Sequence, residues 1–308
     1  MNVFLRRILQ AAVVLLAVAA LLFVMLRIVP GDPVATMMGE HYNADAIERM
    51  TKELGLDQPL PVQFWRYLTG ALSGDFGTSY SLKKPVGELM TKALGNTVIL
   101  AVFASLFAWV TGITCGVLAA AFKNKIPDRL FMGYSLLGIS MPVFVTAMLL
   151  QYLFAFRLRM FDLTGTASLA SFVLPAVALG WNASGSIARL MRSSLLDVMQ
   201  EDYIDTARAK GRRNTGVILR HALRNAMLPV MTLMAMQFSG FLSGAVITET
   251  VFSINGIGQL TVQAISARDI PLMQGTVLFA VSLVILGNLA ADSLYSVLDP
   301  RIRKEVRR

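Results

Sequence analysis

Charged residues are scarce in this sequence. Asp, Glu, Lys and Arg make up 15% of the 308 residues, whereas hydrophobic residues make up 55%. A soluble domain usually carries about a quarter charged residues, and the mean hydropathy of this chain is high, at +0.61. The chain therefore lacks the polar surface that a water-soluble protein needs, and its composition indicates an integral membrane protein.

Residues that build catalytic and metal sites are also few. The single cysteine, Cys115, excludes an internal disulfide framework and a thiolate metal cluster, and the apolar run around it favours a packing role. Only two histidines are present, His41 and His221, so that no Ser-His-Asp set is credible. The phosphate-binding pattern G-x-x-x-x-G-K-S/T and the zinc pattern H-E-x-x-H are both missing. The sequence thus predicts neither catalysis nor nucleotide or metal binding by the chain itself.

Long apolar runs are present instead. A helix needs roughly 20 apolar residues to cross the hydrocarbon core of a bilayer. The first run is longer than the roughly 7–15 apolar residues of a signal peptide, so that a retained anchor is favoured over a cleaved signal. The fourth run is the most polar, since Asn182, Ser184 and Ser186 lie within it. Six transmembrane helices are predicted, at about 8–29, 94–122, 130–156, 171–188, 228–252 and 275–298.

The positions of Lys and Arg predict the orientation of these helices. Most of the 28 basic residues lie in the segments 1–7, 123–129, 189–227 and 299–308. Cytoplasmic segments of membrane proteins carry such an excess, and an even number of spans places both termini on one side. We therefore expect both termini in the cytoplasm. The net charge of +9 follows from this topology and gives no indication of a nucleic-acid partner.

One long segment, 30–93, is predicted on the external face. Within it, "ADAIERMTKELG" can form a helix that begins after Asn43 and ends at Gly55. The following "QPLPVQFWRYLTGALSG" places apolar side chains at helical spacing, and Trp65 and Tyr67 suit the membrane–water boundary. We expect a small ordered cap rather than a separate domain. It is the only external segment large enough to receive a soluble partner.

The segment 189–227 has helical patterns on both sides of a glycine. Acids come early and bases late in "EDYIDTARAKG", which suits the helix dipole, and Asp205 and Arg208 can pair along one face. Gly211 then interrupts the pattern. The alternative is a solvated, positively charged loop, although plain loops are richer in Gly, Pro, Asn and Ser.

The first of these two helices carries a shallow apolar patch. A helix this short cannot bury a core alone, so it must dock on its own chain or in a groove of another protein. The patch consists of Tyr203, Ile204, Ala207 and Ala209.

This stretch resembles the EAA loop of ABC-importer permeases. Their pattern, Glu-Ala-Ala, then Gly, then Ile-x-Leu-Pro, has counterparts here in Glu201, Ala207, Gly211 and Pro229. Further blocks agree in order and spacing, namely "RIVPGDP", "GLDQPLPVQFWRYL", "GDFGTSY", "ISMPVF" and "LDPRIR". The resemblance covers essentially the whole chain and is to the B-type permease subunit of dipeptide, oligopeptide and nickel importers. One departure is Asn255, which stands where the family commonly has proline, although Asn-Gly still favours a tight turn.

The resemblance implies an all-α integral membrane protein with the six transmembrane helices of a type I ABC-importer transmembrane domain. Residues 1–308 would form one permease domain with the external cap, a cytoplasmic coupling helix and a basic tail at 299–308. The implied partners are a second homologous permease, two ABC ATPase subunits at the cytoplasmic face, an external substrate-binding protein and membrane lipid. ATP and Mg²⁺ would be bound by the ATPase subunits, and the complex would lie in the bacterial inner membrane.

The resemblance also assigns roles to particular residues. The first helix of the EAA loop would sit in a groove of an ATPase and move the membrane spans when two ATPase subunits close on nucleotide. The implied ATPase-coupling residues are Glu201, Asp202, Tyr203, Asp205, Ala207, Arg208, Lys210 and Gly211.

Polar residues inside the predicted spans are candidates for the translocation path. Intramembrane acids are functional candidates by default, and amides could line a polar path. The alternative is that each of these residues only joins helices to one another. The candidates are Glu249, Asn182, Gln237 and Asp292, with Asn96 and Asn288 as further polar positions.

Two other classes of membrane protein fit the sequence less well. A secondary transporter would carry several ionisable midplane residues and Gly- or Pro-broken repeats, and an intramembrane protease would need a catalytic set within its spans. An ATP-driven importer of short peptides is the favoured function. Metal chelates of the nickel type and glutathione-like peptides remain open as substrates, because specificity in such importers resides largely in the external binding protein.

Overall fold

The computed structural model is almost entirely helical. Within the described residues an isolated β-bridge joins Thr78 to Pro85, and the predicted all-α class is confirmed. His41 and the tail 299–308 lie outside the described residues, as does the side chain of Asp292. The described residues are 3–28, 51–52, 55, 57–211 and 214–298.

The helices vary widely in length. A 3₁₀ turn at Leu169–Phe172 precedes α6, and π-helical turns follow α5 at Gln151–Arg157 and join α8 to α9 at Ile218–Ala222. In chain order, the helices of the described residues are α1 (Val3–Ile28), α2 (Leu60–Ser73), α3 (Val86–Ala121), α4 (Ile126–Ser140), α5 (Val143–Leu150), α6 (Val173–Val198), α7 (Asp202–Ala209), α8 (Asn214–Val217), α9 (Leu223–Leu242), α10 (Val246–Val251), α11 (Ile257–Ser266) and α12 (Ile270–Leu298).

The chain divides into two compact units. The first contains Met1–Asn96 and Asn255–Leu283, and the second contains Thr97–Ile254 and Val284–Arg308. The candidate coupling segment lies wholly within the second unit. That the two units act as one permease domain stays a prediction.

Four helical stretches in the described part are long and apolar enough to cross a membrane. The bent pair Ile126–Ser140 and Val143–Arg157 would be a fifth if it forms one span. The predicted fourth span, 171–188, covers the end of the 3₁₀ turn and much of α6. With 26 residues α6 is long enough for a span, but its polar residues make it less apolar than these four stretches. The predicted count of six spans therefore stays a prediction. The four stretches are Arg7–Leu26, Val86–Ala121, Ile218–Leu242 and Ile270–Leu289.

The predicted span 130–156 is bent rather than straight. The chain bends by 104° between α4 and the helical stretch Val143–Arg157, which consists of α5 and the π-helical turn after it. Between them Met141 is extended, with φ −81 and ψ 128, and Pro142 follows it. A proline has no N–H to donate and disfavours a helical conformation in the residue before it. The "ISMPVF" block is thus the break between the two helices.

Part of the predicted cap is described, and it contains one helix of its own. Helix α2 begins after Pro59 and ends at Gly74, which has φ +78. Phe64 of this helix packs edge-on against Phe23 of α1, with ring centroids 5.2 Å apart. Gly55 has φ +65, which suits the predicted helix end at that residue.

Close contacts fix α6 in the second unit. Gly112 and Gly116 of α3 face Ile187 and Met191 of α6, and a Cβ added to either glycine would lie 2.8 or 2.6 Å from those side chains. Only glycine permits this approach of the two helices. Helix α6 leads directly into the candidate coupling segment, so this packing determines where that segment begins.

Candidate functional site

Helix α7, Asp202–Ala209, is the candidate coupling helix. Glu201 is extended at its N-cap, two acids lie in the first turn and Arg208 lies in the last, an order of charges that favours the helix dipole. Gly211, two residues after the helix, has φ +77. Residues with a Cβ are strained at such a φ, so that glycine is required at this turn.

The candidate coupling helix has one buried and one exposed face. Ile204 and Ala207 are buried in an apolar cluster with Leu195 of α6 and with Val217 and Ile218 beyond the turn. The predicted apolar patch is therefore split: Ile204 and Ala207 dock on the chain itself, whereas its other two members are exposed. The exposed side chains are those of Asp202, Tyr203, Asp205, Thr206, Arg208, Ala209 and Lys210.

Two polar contacts join neighbouring elements around the candidate coupling helix. Asn225 Nδ2, in α9, donates a hydrogen bond of 2.7 Å to the Tyr203 hydroxyl oxygen. Ser194 Oγ, in α6, donates one of 3.0 Å to the carbonyl of Ala226. The candidate coupling helix is thus tied to α9, which lies beyond α8 and the π-helical turn. Asn225 carries no signal for this contact in the sequence, because its separation of 22 residues from Tyr203 follows no local pattern.

The predicted pair of Asp205 and Arg208 is present on the exposed face. Arg208 Nη1 lies 2.8 Å from Asp205 Oδ1, at the spacing of three residues expected along a helix. Both side chains are well exposed, and a pair of this kind contributes at most about 1 kcal/mol. It orders the exposed face more than it stabilises the fold.

A stronger ion pair fixes the helix that precedes the site. Arg192 of α6 donates from Nε and Nη2 to the two carboxylate oxygens of Asp128 in α4, at 2.7 and 2.8 Å. The N–H of Asn124 also donates to Asp128, at 2.8 Å. This two-point geometry fixes direction as well as distance, so α4 and α6 are clamped ahead of the candidate coupling helix. Sequence reasoning missed the pair, since its members are 64 residues apart.

Glu249, a predicted path residue, is fully buried in α10. Thr97 Oγ1 of α3 donates a hydrogen bond of 2.8 Å to its Oε1. The N–H of Ile254 donates to the Glu249 carbonyl at 2.8 Å. This geometry is that of a polar joint between helices, and a role for Glu249 in a path stays a prediction.

Two other predicted path residues meet at α6. Asn182 Nδ2 donates to the carbonyl of Gly138 at 3.0 Å, and Gln237 Nε2 donates to the carbonyl of Ala183 at 3.2 Å. The Gln237 amide thus contacts Ala183, the residue next to Asn182. Glu249 lies on a different helix, α10.

The remaining polar candidates lie elsewhere. Asn96 Nδ2 donates to the carbonyl of Asn255 at 3.0 Å within the first unit, and Asn288 is exposed. The side chain of Asp292 is outside the described residues. A path role for these three residues therefore stays a prediction.

In the first unit, a buried carboxylate accepts hydrogen bonds from residues in and next to the "GDFGTSY" block. Asp269 accepts hydrogen bonds from Ser79 Oγ at 2.6 Å and from the Ser81 N–H and Oγ at 3.0 and 2.8 Å. The N–H of Leu272 donates to its other oxygen at 3.2 Å. Burial alone raises the pKa of Asp269, but these hydrogen bonds outweigh it and hold the pKa below its ordinary value. We call these residues the Asp269 cluster, which sequence reasoning also missed.

Two family models match this chain. Residues 112–304 match the binding-protein-dependent transport system inner membrane component, and residues 1–101 match the N-terminal part of the membrane component of such systems. The chain belongs to this family. Members are inner-membrane components of bacterial ABC transporters, so the predicted location in that membrane is confirmed at this level.

Relatives in the family are similar over their whole length. The glutathione transport system permease protein GsiC of Salmonella paratyphi A is 42% identical over 303 residues, which cover 98% of this chain and 99% of that protein. GsiC of Escherichia coli K12 is 39% identical over the same length. This chain is an ABC-importer permease of the peptide-importer branch, as its sequence predicted.

Solved structures show the same fold at lower identity. The inward-facing methionine ABC transporter MetNI matches with a TM-score of 0.57 and 18% identity, over 68% of this chain and 96% of that one. An amino acid ABC transporter with histidines matches with a TM-score of 0.53 and 16% identity, over 70% and 94%. The predicted fold of the type I ABC-importer transmembrane domain is confirmed.

Proposed function

We propose that this permease forms half of the translocation path of an ATP-driven importer and that α7 is its contact with a cytoplasmic ATPase. The two faces of α7 carry this proposal. Ile204 and Ala207 fix the helix to its own chain, and the opposite face leaves charged and polar side chains exposed. A short helix fixed on one side and free on the other suits insertion into a groove of a partner.

The contacts around α7 suit the transmission of movement. Upstream, Arg192 and Asp128 clamp α6 to α4, and downstream Tyr203 bonds to Asn225 in α9. A push on α7 would therefore reach the helices on both sides of it. Gly211 allows the chain to turn sharply between α7 and α8. Small movements at such a site can switch packed helices between two arrangements.

The family supports a fuller set of partners. We propose a second homologous permease, two ABC ATPase subunits that bind ATP and Mg²⁺, and an external substrate-binding protein. The chain itself would not be catalytic, because hydrolysis would occur on the ATPase subunits. The concentration of basic residues in four segments supports a cytoplasmic location for both termini.

The proposed substrates are short peptides, with glutathione as the first to test. The support is the 42% identity to a glutathione transport permease over 98% of this chain. Specificity would still be decided largely by the external binding protein, which delivers the substrate.

The test is uptake by the purified complex. The tagged permease would be isolated in mild detergent with its co-purifying subunits, reconstituted into liposomes and supplied with the binding protein and labelled glutathione or dialanine. We expect uptake of at least one of these peptides, dependent on both ATP and the binding protein. Uptake by the permease alone, driven by an ion gradient, would instead establish a secondary transporter.

A further inference from the structure

A groove with a cationic side chain lies between α4 and α6, within the second unit. Its volume is about 690 Å³, which falls in the range of about 300–1,000 Å³ found for small-molecule sites. We call it the Arg189 groove. Its lining includes Met132, Leu136 and Ile139 of α4, and Ser186, Arg189 and Ser193 of α6.

Two arginines, Arg189 and Arg192, line the groove. Of the two, Arg192 forms an ion pair with Asp128. Both carboxylate oxygens of Asp128 accept hydrogen bonds from Arg192. Arg189 is exposed, and within the described residues no hydrogen bond or ion pair engages its guanidinium. The Arg189 groove therefore presents a net positive charge to whatever enters it.

Arg189 belongs to a polar stripe along α6. Asn182, Ser186, Arg189 and Ser193 recur every three or four residues and so share one face of the helix. Arg189 is the first residue of the segment 189–227, whose basic residues predict a cytoplasmic location, so the stripe runs from the predicted fourth span to its cytoplasmic end. The polarity of this face also explains why α6 is long enough for a span but not apolar enough.

We propose that the Arg189 groove binds the carboxylate of the peptide during its passage through the permease. Arginine binds carboxylates through a planar fork of two N–H donors, and every peptide with a free C terminus supplies such a group. Met132, Leu136 and Ile139 would contact the apolar parts of the peptide. The inference rests on the proposed import of peptides and names a specificity residue for it.

The distribution of polar groups favours a peptide over a membrane lipid. A phospholipid is polar at one end only, so its site needs a cation at one end and a purely apolar channel beyond it. Ser186 and Ser193 lie one helical turn to either side of Arg189, which makes the groove polar in both directions. A short peptide, with polar atoms along its length, matches that arrangement.

The test is protection of a cysteine in the groove. Ser186→Cys would be introduced with Cys115→Ser, and maleimide labelling of Cys at 186 followed in the reconstituted complex. S-methylglutathione, which has carboxylates but no thiol, would be compared with its diethyl ester. We expect S-methylglutathione to protect and the ester to protect only weakly. Arg189→Gln should weaken protection by S-methylglutathione about tenfold or more, whereas Arg189→Lys should retain part of it.

Arg129→Gln provides the matched control. Arg129 is an exposed arginine of α4 that does not line the groove, so its replacement removes the same charge and should leave protection unchanged. If S-methylglutathione protected the cysteine at 186 equally well with and without Arg189→Gln, the proposal would be overturned. Complete absence of labelling in the assembled complex would also overturn it, because a partner subunit would then cover the groove. An anionic phospholipid that co-purifies with the parent and is lost in Arg189→Gln, as seen by native mass spectrometry, would assign the groove to lipid.

Uptake assays separate this inference from the function on which it rests. We expect Arg189→Gln to raise the KM for glutathione severalfold. The KM of Arg129→Gln should equal that of the parent, the permease without either substitution. A parent complex that imports no peptide would contradict the proposed function. Normal import by the parent, with an unchanged KM in Arg189→Gln, would contradict the groove assignment alone.

Discussion

The candidate coupling helix and the Asp269 cluster are held by very different contacts. Only Ile204 and Ala207 of the helix are buried, and the charges of its opposite face are exposed. Asp269, by contrast, is fully buried and collects its hydrogen bonds from two serines and from the first turn of α12. The first arrangement leaves a surface free for a partner, whereas the second fixes a loop to the start of a helix.

The two sites differ in how readily they can rearrange. An exposed ion pair such as that of Asp205 and Arg208 costs little to break, so the free face of α7 can rearrange when a partner binds. A buried carboxylate without its donors would bear a desolvation penalty, so the Asp269 cluster must stay intact.

Gly211→Val should have the largest effect on function. Valine at φ +77 is strained by about 1–3 kcal/mol, which disturbs the turn after α7 but no buried contact. We expect ATP-dependent uptake to be abolished, while membrane insertion, followed by the amount of protein in the membrane fraction, is normal. Gly216→Ala is the control, since Gly216 has helical backbone and open space for a Cβ. Normal uptake by Gly211→Val would contradict the coupling role.

Asp128→Asn should have the second-largest effect, and that effect is on stability. It leaves Arg192 with a neutral partner in a mostly buried position, at a cost of about 1–3 kcal/mol. The expected result is a lower Tm of the second unit, measured in detergent by differential scanning fluorimetry. The double variant Asp128→Arg with Arg192→Asp should recover part of the loss. An unchanged Tm in the single variant would show that the clamp between α4 and α6 does not hold them.

Asp269→Asn should destabilise the first unit in a pH-dependent manner. Because hydrogen bonds hold the pKa of Asp269 below its ordinary value, its stabilisation is full above about pH 4, where the unfolded carboxyl is ionised, and is lost as the pH falls through the lower value of the folded state. At pH 7 we expect a loss of about 1–3 kcal/mol. The difference in Tm between the parent and the variant should shrink as the pH is lowered. A difference that is the same at every pH would argue against an ionised Asp269.

Tyr203→Phe should have the smallest effect and should act on coupling rather than folding. It removes the hydrogen bond from Asn225, which is worth about 0.5–1.5 kcal/mol, and keeps the aromatic ring. We expect fewer peptides imported per ATP hydrolysed, with little change in Tm. Asn225→Ala should produce the same deficit, and the two changes together should add little. An unaltered ratio of transport to hydrolysis in both variants would remove this bond from the transmission route.

Much of this architecture could be predicted from local sequence patterns. Apolar runs predicted the long helices, the charges of "EDYIDTARAKG" predicted α7, and the spacing of three between Asp205 and Arg208 predicted their pair. Gly211 was expected to interrupt the helix and does so with φ +77. Each of these features depends on residues that are close in the chain.

The contacts that sequence reasoning missed join residues that are far apart in the chain. Asp128 and Arg192 are separated by 64 residues, and Ser79 and Asp269 by 190. Nothing in either local stretch specifies its partner, because such pairs are decided by how helices pack. The bend at Pro142 was missed for a different reason: a proline in an apolar run is compatible with either a straight span or a break.

The most direct test of the coupling assignment is a cross-link from the exposed face of α7. Ala209→Cys, in a chain that also carries Cys115→Ser, would be labelled in native membranes with a thiol-reactive photo-cross-linker, whose photoreactive end couples to any nearby residue, and compared with Ala207→Cys, whose side chain is buried. We predict that the cysteine at 209 forms a covalent adduct with an ATPase subunit, with a yield that changes on addition of ATP, and that the cysteine at 207 does not. An adduct at neither position, or reaction of the cysteine at 209 with an impermeant reagent added outside the cell, would contradict the assignment.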